Sequence, residues 1–346
     1  MSGLRVAVVG AGSWGRNHVR AIAALREADL VAVCDLDPAR RDAVARQYPG
    51  TLVTASLDDA LARAEAVVVA SAAATHVEIT EAAIERGLPV LVEKPFALSL
   101  EAATRVAMKA DASGVPLLVG HLLLFHPAVE RLRAMIAADE LGTVYYLYSQ
   151  RVNLGQVRPD ENALWSFGPH DISVALFLLG EAPISVAAHG RSYLQPGIED
   201  VVFLIMQFAS GVMAHVQMSW LDPHKERRLT VVGAKRMVVF DDMQPREKLK
   251  VFDKGVDRPP EYRSYGESLA VREGDIYLPR VPNVEPLSQE LAHFVMVARG
   301  TEPPRADAWS GVEVVAILEA ASRSLREEGR VVEIAPRART QHSEKA

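Results

Sequence analysis

Near its beginning the chain carries a glycine-rich segment, RVAVVGAGSWG, at residues 5–15. Gly10, Gly12 and Gly15 form a GxGxxG pattern between an apolar run, which predicts a strand, and a helical pattern. Gly10 allows the tight turn, Gly12 lets the backbone approach a ligand, and Gly15 lets the helix pack on its strand. The loop suits a dinucleotide pyrophosphate, because a helix N-terminus offers free N–H groups and a positive dipole end to an anion.

The next strand candidate supports a dinucleotide site. The run LVAVCD, at residues 30–35, ends in Asp35, about 20 residues after the last glycine, where an acid can accept hydrogen bonds from ribose hydroxyls. Because a carboxylate there also repels a 2′-phosphate, NAD is the expected cofactor and NADP the less favoured one. Ser13 and Trp14, inside the glycine pattern, are predicted to line the same site. The alternative is a glycine turn in another kind of α/β unit.

The composition is typical of an ordinary globular protein, and the length indicates about two domains. The 346 residues are 49% hydrophobic, which is ample for sizeable cores, and the net charge of −6 with dispersed basic residues indicates no nucleic-acid partner. A single cysteine and scattered histidines predict neither a disulfide nor a metal site. No apolar run is long enough to span a membrane, and a strand starts too early to leave room for a signal peptide. We therefore expect a cytoplasmic protein with no membrane partner.

Strand and helix candidates alternate through the first 120 residues. Strands are predicted at 5–9, 30–35, 66–70, 89–92 and 116–119, and helices at 14–26, 38–47, 57–64, 76–86 and 100–112. Such alternation predicts an α/β fold with a doubly wound parallel sheet. Ser56 and Thr75 are predicted N-caps, and Gly87 a helix stop.

Beyond residue 120 consecutive strands predict a second α/β domain with an open, mostly antiparallel sheet. Its strands are expected at 143–153, 185–194, 201–208, 212–220, 227–233 and 236–241, and its helices at 127–137, 169–179, 286–299 and 309–328. Alternation within 212–220 predicts an apolar face and an opposite face for a partner or substrate. Residues 253–285 are expected to form a long loop. The predicted domains are 1–120 for the dinucleotide and 121–335 for the substrate, followed by a disordered tail at 336–346.

The fifth strand ends in PVLVEKPF, which places Glu93 and Lys94 at the carboxyl edge of the parallel sheet. Ligands bind at this edge in open α/β folds. Pro95 stiffens the turn, and a lysine held there can hydrogen-bond a substrate hydroxyl and stabilise a developing alkoxide. The alternative is a solvated lysine on an ordinary loop.

Together these motifs resemble one known family. GAGSWG, Asp35, SAAATH after the fourth strand, EKP, and WSFGPHDIS occur in the order found in the Gfo/Idh/MocA family of NAD(P)-dependent sugar and cyclitol oxidoreductases. The resemblance covers nearly the whole chain and implies an N-terminal Rossmann domain followed by an α/β domain with an open antiparallel sheet. It further implies that Lys94 and His170 flank the sugar carbon that exchanges hydride with the nicotinamide. Thr75 and His76 match residues on the nicotinamide side.

Several segments resemble one branch of that family, the nucleotide-sugar 3-dehydrogenases that oxidise UDP-N-acetylglucosaminuronic acid. They are GRNHVR (15–20), GHLLLFHPAV (120–129), WSFGPHDIS (165–173) and GDIYLPRVPNVEPLSQELAHF (274–294). This resemblance implies tightly held NAD and a homo-tetramer or homo-dimer formed through exposed sheet faces.

Two positions depart from the family pattern. Ser166 stands where many members have an aspartate four residues before the histidine, so the usual lysine–aspartate–histidine triad is incomplete. Residues 72–74 are alanines where the family often has a proline-containing turn. Ser166 itself becomes a candidate substrate contact.

The start of the later helix bears on the role of His170. Gly168 and Pro169 are predicted as its N-cap and first residue, which would place Asp171 at a capping position. His170 would then lie at a helix N-terminus, which disfavours imidazolium and keeps the base neutral.

Other polar candidates lie near the domain junction and on the first strand beyond it. Arg151 and Asn153 are predicted to contact a sugar or diphosphate, with a solvated strand face as the alternative. His121 and His126 flank an apolar LLLF segment, which favours packing over a site role.

The leading hypothesis is an NAD-dependent oxidoreductase that oxidises a secondary hydroxyl, at C3 of a nucleotide-activated hexose or hexuronate. His170 would take the hydroxyl proton while Lys94 steadies the oxygen. A free-sugar or inositol dehydrogenase is the alternative within enzymes. A catalytically silent dinucleotide-binding module, which Ser166 makes credible, is the alternative outside them.

Overall fold

The computed structural model describes residues 3–155, 157–159, 161–257 and 270–335. The chain forms two compact units. The first comprises Met1–Ala134, Ile172–Val174 and Arg280–Ala316, and the second Met135–Asp171, Ala175–Pro279 and Ile317–Ala346. A second domain running unbroken over 121–335 is predicted from the sequence, whereas residues 280–316 pack in the first unit. The predicted tail at 336–346 lies outside the described residues.

A six-stranded parallel sheet forms the centre of the first unit. Its strands are β1 (Leu4–Val9), β2 (Ala28–Cys34), β3 (Leu52–Thr54), β4 (Ala66–Val69), β5 (Val90–Glu93) and β6 (Leu117–Gly120). The strand order β3-β2-β1-β4-β5-β6 confirms the prediction of a doubly wound sheet. Successive strands are added on one side of β1 up to β3 and on its other side from β4 onwards, and in such folds ligands bind at the switch point between β1 and β4. Helices cover both faces of such a sheet, which explains the unbroken apolar runs in β1, β4 and β5. Only β3 was missed, because three residues carry no pattern.

Six helices lie in the first part of the chain. They are α1 (Gly15–Ala24), α2 (Pro38–Gln47), α3 (Leu57–Leu61), α4 (His76–Glu85), α5 (Leu100–Ser113) and α6 (Pro127–Ala137). Ser56 caps α3 as predicted, since its hydroxyl accepts from Asp59 N at 3.2 Å. Thr75 occupies the N-cap position of α4, but its hydroxyl donates to the carbonyl of Ala72 at 2.8 Å instead of capping the helix. Gly87 follows α4 with a positive φ of 70°.

A nine-stranded sheet forms the second unit. Its strands are β7 (Val144–Leu154), β8 (Pro183–Arg191), β9 (Val201–Phe208), β10 (Met213–Ser219), β11 (Leu221–Gly233), β12 (Met237–Asp241), β13 (Leu249–Asp257), β14 (Ala270–Tyr277) and β15 (Val332–Glu333), in the order β14-β13-β12-β11-β7-β10-β9-β8-β15. Among the described strands of this sheet, only β7 and β10 pair in parallel, so the prediction of a mostly antiparallel sheet is confirmed. The loop predicted over 253–285 is wrong where β13 and β14 lie. These strands are at the sheet edge, where charged residues replace the apolar alternation.

The two faces of this sheet differ in character. In the segment 212–220, which contains β10, the buried residues are Val212, Ala214, Val216, Met218 and Trp220, which confirms the predicted apolar face. The opposite side carries His215 and Gln217, and the neighbouring strands add Tyr146, Tyr148 and Phe203 to it. We call this second side the open face. Alternation along 212–220 would also place Ser219 on the open face. Ser219 is buried instead, and its hydroxyl accepts from Leu221 N at 3.0 Å.

Helix α7 (Ala163–Leu179) begins six residues earlier than predicted. Asn162 caps it by accepting from Trp165 N at 3.0 Å, and Pro169 lies inside the helix. The Gly168–Pro169 pair therefore does not mark a helix start. Proline removes one helical hydrogen bond there, and Gly168 allows close packing, since a Cβ would lie 3.2 Å from Leu318 Cδ2.

Two helices complete the fold, α8 (Pro286–Ala298) and α9 (Ala308–Arg326). Within the first unit, α8 packs against α1 and against the 3-10 turn Leu122–Phe125. Its buried face brings Leu291 and Phe294 into the core that also contains Ile22. Among the described residues, no helix combines the length and apolarity that a membrane span requires.

Candidate functional site

The glycine loop has the tight backbone that its spacing predicts. Gly10 has φ +97°, and a Cβ there would come within 2.6 Å of the Ala70 carbonyl on β4. A Cβ on Gly15 would lie 2.0 Å from the Gly10 carbonyl oxygen. Both positions therefore require glycine for the chain to turn from β1 into α1.

Gly12 differs, because it is open on its outer side. A Cβ there would meet nothing closer than Arg40 Nη1 at 3.6 Å. Protein packing does not demand glycine here, whereas close approach of a phosphate would. Ser13 and Trp14 are exposed beside it, at the N-terminal end of α1, where the helix dipole favours an anion. The loop thus fits the pyrophosphate of a dinucleotide.

Asp35 lies at the carboxyl end of β2, as predicted. Its Oδ2 accepts from Ala11 N at 2.6 Å, and its Oδ1 accepts from Asp37 N at 2.8 Å. The carboxylate is therefore fixed next to the glycine loop. Arg40 Nη1 lies 3.5 Å from Oδ2, whereas Arg41 donates to the backbone carbonyls of Asp35 and Leu36.

The segment after β4 contains Thr75 and His76. The Thr75 hydroxyl lies 2.8 Å from the Ser71 hydroxyl. His76 is buried, with Nδ1 2.9 Å from the Pro95 carbonyl oxygen and Nε2 3.2 Å from that of Ser71. Burial lowers the pKa of His76 below its usual value, although both backbone contacts oppose this. His76 thus braces the turn that follows Lys94, and its contact with the cofactor stays a prediction.

Glu93 points inward from the end of β5. His18 Nε2 lies 2.7 Å from Glu93 Oε1, the Trp14 indole N–H donates to the same oxygen, and Lys94 N donates to Oε2 at 3.1 Å. Burial would raise the pKa of Glu93, but the hydrogen bonds from His18 and Trp14 and the nearby Lys94 charge outweigh it and lower the pKa. Glu93 therefore ties the first turn of α1 to the Lys94 backbone. Its direct role in cofactor binding stays a prediction.

Lys94 is half-buried at the carboxyl edge of the parallel sheet. It directly follows the carboxylate that holds α1, and its turn is braced by His76 through the carbonyl of Pro95. The position of this lysine is thus set by the same elements that form the glycine loop.

In the second unit, Arg151 on β7 pairs with Asp171 on α7. Arg151 Nε lies 2.5 Å from Asp171 Oδ2, and both side chains are largely buried. The predicted helix-capping role of Asp171 is wrong, because α7 starts at Ala163 and Asp171 lies well inside it. Arg151 is thus committed to an ion pair, and its contact with substrate stays a prediction.

Ser166 and His170 are separated by one turn of α7. Residues at i and i+4 share one face of a helix, so the position where the family often has aspartate lies next to His170. Ser166 is buried and His170 half-buried. Because His170 is in the helix interior, the predicted effect of a helix N-terminus on its charge is wrong.

The remaining candidates have local roles or none that is visible. His126 Nδ1 accepts from Ala128 N at 3.0 Å at the start of α6, and His121 is buried. Asn153, on the same strand as Arg151, has a buried Oδ1 without a hydrogen-bond partner among the described residues. Cys34 is a buried free thiol whose pKa is raised by burial. No group of three His, Cys, Asp or Glu side chains in the described ranges is arranged to hold a metal ion.

Comparison with known proteins agrees with this geometry. Residues 4–121 match the family model "Oxidoreductase family, NAD-binding Rossmann fold", and residues 129–239 match "GFO/IDH/MocA C-terminal domain". Inositol 2-dehydrogenase 2 of Saccharopolyspora erythraea is 34% identical over 225 residues, which are 62% of this chain and 66% of that protein.

Two further proteins align over nearly their whole length. UDP-N-acetylglucosamine 3-dehydrogenase of Acidithiobacillus ferrooxidans is 26% identical over 322 residues, 90% of this chain and 94% of that one. The crystal structure of GenD2 from gentamicin A biosynthesis, in complex with NAD, superimposes with a TM-score of 0.81 at 28% identity and covers 97% of each chain. The glycine loop, the sheet topology and the two matched domains together show that this chain is an NAD-binding oxidoreductase of the Gfo/Idh/MocA family.

Proposed function

We propose that the protein oxidises a secondary hydroxyl of a sugar, at C3 of a nucleotide-activated hexose or hexuronate, in the cytoplasm. The observation that carries this proposal is the placement of Lys94 at the carboxyl edge of the Rossmann sheet, beside the carboxylate that holds the glycine-loop helix. The full-length similarity to a UDP-N-acetylglucosamine 3-dehydrogenase supports the nucleotide-sugar class.

Each residue has a defined task in this reaction. NAD, which the glycine loop and Asp35 would hold, would supply the hydride acceptor. Lys94 donates a hydrogen bond to the reacting oxygen and stabilises the negative charge that develops on it. Neutral His170 removes the hydroxyl proton. Ser166, one turn away, supplies no charge to stabilise the resulting imidazolium.

Inositol oxidation is the second candidate. A diphosphate needs cationic or backbone donors, and Arg151, the cation predicted for it, is already paired with Asp171. A cyclitol has no diphosphate and therefore does not require these donors. The similarity to an inositol 2-dehydrogenase supports this candidate.

Turnover measurements separate the candidates. Cofactor released from the purified protein is identified first, and the protein is then assayed by NADH absorbance with UDP-N-acetylglucosamine, UDP-N-acetylglucosaminuronic acid, myo-inositol and free hexoses. Turnover of a UDP-sugar well above that of myo-inositol supports the proposal, and the reverse order favours the cyclitol. No turnover of any member, with NAD still bound, would indicate a silent dinucleotide-binding module.

Asp35→Ser should shift cofactor preference from NAD towards NADP. The wild-type carboxylate accepts from ribose hydroxyls and repels a 2′-phosphate, and its removal leaves Arg40 without one of its two partners. The ratio of kcat/KM for NAD over NADP should fall by about tenfold or more, equivalent to roughly 1.4 kcal/mol. Asp37→Ser is the matched control, because Asp37 also contacts Arg40 and serine can keep its capping role. A wild type that prefers NADP contradicts the assignment.

We also propose that two copies of the chain associate through the open face of the second sheet. Tyr146 and Tyr148 stack at 6.3 Å, and Phe203 and His215 stack at 6.2 Å on adjacent strands. Burial lowers the pKa of His215, which favours its neutral form near neutral pH. Aromatic side chains that lie together on one face of a sheet are typical of an interface between copies.

Phe203→Asp should dissociate this assembly, because it places a charge at the centre of the proposed interface. Light scattering after size-exclusion chromatography should show a smaller species for the variant than for wild type. Leu98→Asp is the control, since Leu98 is an exposed apolar residue of the first unit. A monomeric wild type, or an unchanged mass for Phe203→Asp, contradicts the interface.

A further inference from the structure

Glu290 is a fully buried acid in the middle of α8. Its exposed fraction is 0%, and within the described part of the chain neither carboxylate oxygen has a hydrogen-bond partner. An ionised carboxylate in such a place loses its hydration without compensation, which is strongly unfavourable. The neutral acid avoids most of this cost.

The negative charge of Glu93 reinforces this effect. Burial raises the pKa of Glu290 well above its usual value, and the negative charge of Glu93 raises it further. Glu93 behaves in the opposite way, since hydrogen bonds and a nearby lysine keep its pKa low. Two carboxyl groups whose surroundings separate their pKa values in this manner take different protonation states.

Among the described residues, the elements packed against α8 bring further titratable groups, and no cation pairs with Glu290. Helix α1 contributes buried His18, whose Nε2 lies 2.7 Å from Glu93 Oε1 and whose Nδ1 has no hydrogen-bond partner in the described ranges. His121, just before the 3-10 turn, has a pKa of about 4, lowered first of all by burial. It is therefore neutral at physiological pH.

The other charges near α8 are engaged elsewhere. Arg20 of α1 pairs with Glu285 at the exposed start of α8, and His126 caps α6. Lys94, just after β5, carries a positive charge that lowers the pKa of both Glu93 and His121.

We propose that Glu290 is a positioning residue for the reaction: as a neutral carboxylic acid it leaves Glu93 as the single buried negative charge behind Lys94. The inference rests on the proposed role of Lys94. An ionised Glu290 would repel Glu93 and weaken its bonds to Trp14, His18 and the Lys94 backbone. The Lys94 turn would then lose its connection to the glycine-loop helix.

Infrared difference spectroscopy tests the protonation state without any substrate. Wild type minus Glu290→Gln, at pH 7, should show the carbonyl stretch of a protonated carboxylic acid. Glu285→Gln is the control on the same helix, and it should remove a carboxylate band only, because Arg20 lowers the pKa of Glu285. Glu290→Leu, which keeps the volume and removes the acid, should remove the same carbonyl stretch. Loss of a carboxylate band in both Glu290 variants would overturn the proposal.

Stability against pH gives a second measurement. Because the pKa of Glu290 is raised in the folded state, folding takes up a proton above the pKa of an unfolded glutamate, and stability falls as pH rises towards the folded value. The unfolding equilibrium constant of wild type should rise by up to tenfold per pH unit relative to Glu290→Gln in that window. Parallel curves for the two proteins would contradict a neutral Glu290.

The pH profile of kcat tests the link to catalysis. Wild-type kcat should fall as Glu290 ionises at high pH, with NAD affinity less affected, and Glu290→Gln should lack this fall while Glu285→Gln keeps it. Identical profiles for wild type and Glu290→Gln would remove the positioning role. If no substrate is turned over, the proposed function fails, but the spectrum and the stability curves still decide the state of Glu290.

Discussion

Replacing His170 with asparagine should lower kcat for alcohol oxidation by roughly 10²–10⁴-fold, because the proposed general base is lost while a polar side chain of similar reach remains. The measurement is steady-state NADH formation at saturating substrate, with NAD affinity determined separately. His224→Asn is the matched control, since His224 is an exposed histidine of the same unit. It should keep wild-type turnover.

The pH profile makes this prediction sharper. Below the pH range in which Glu290 ionises, wild-type oxidation should rise with pH through one ionisation, because only neutral imidazole accepts the proton, and His170→Asn should lack that rise. Ser166→Asp places a carboxylate one helical turn from His170, which favours imidazolium and raises the histidine pKa. The rise should therefore move to higher pH. An unchanged profile and wild-type turnover in His170→Asn would exclude His170 from the mechanism.

Lys94→Met should lower kcat by about 10²–10³-fold, the usual cost of removing one donor that stabilises developing charge. NAD affinity should change little, because the carboxylate contact from this residue is made by its backbone N–H, which methionine retains. Equilibrium binding of NAD and single-turnover rates measure the two effects separately.

Lys109→Met is the control for charge and length. Lys109 lies on α5 in the same unit, where it pairs with Glu85 on the surface. Its variant should bind NAD and turn over as wild type does. If Lys94→Met instead loses NAD affinity while turnover per bound cofactor is unchanged, Lys94 is a cofactor residue.

The pH prediction for His170 no longer depends on a helix dipole. The Gly168–Pro169 pair resembles a helix start, because proline is favoured in a first turn and carries no N–H. Asn162 caps the helix earlier, so His170 lies too far from its end for the dipole to act strongly. The pH prediction depends instead on the side chain one helical turn before His170. This makes Ser166 the residue that distinguishes this site from the family pattern.

Much of the first unit could be predicted because its signals are local. The glycine pattern, the apolar runs of β1, β4 and β5, and the acid after β2 each lie within a few consecutive residues. The carboxyl ends of parallel strands meet at one edge, so the placement of Asp35 and Lys94 at that edge follows from the chain order alone. The buried face of β10 was predictable for a similar reason, since alternation assigns each side chain to a face.

Contacts between distant residues could not be predicted in the same way. Glu93 meets His18, 75 residues away in the chain, and Arg151 meets Asp171, 20 residues away on another element. Neither pair has a pattern in the sequence, because an ion pair or hydrogen bond depends on which elements pack together. The edge strands β13 and β14 were missed for a related reason, since pairing with a neighbour, and not their own composition, makes them strands.

Glu290 shows most clearly the difference between what the sequence determines and what the tertiary structure decides. The sequence by itself determined a helix over PLSQELAHF, in which a glutamate would ordinarily be placed on a solvated face. Only the packing of α8 against α1 and the 3-10 turn placed that carboxyl among buried groups next to Glu93. Local periodicity sets which residues form an element, whereas burial and neighbouring charge, which set protonation, exist only once the elements have packed.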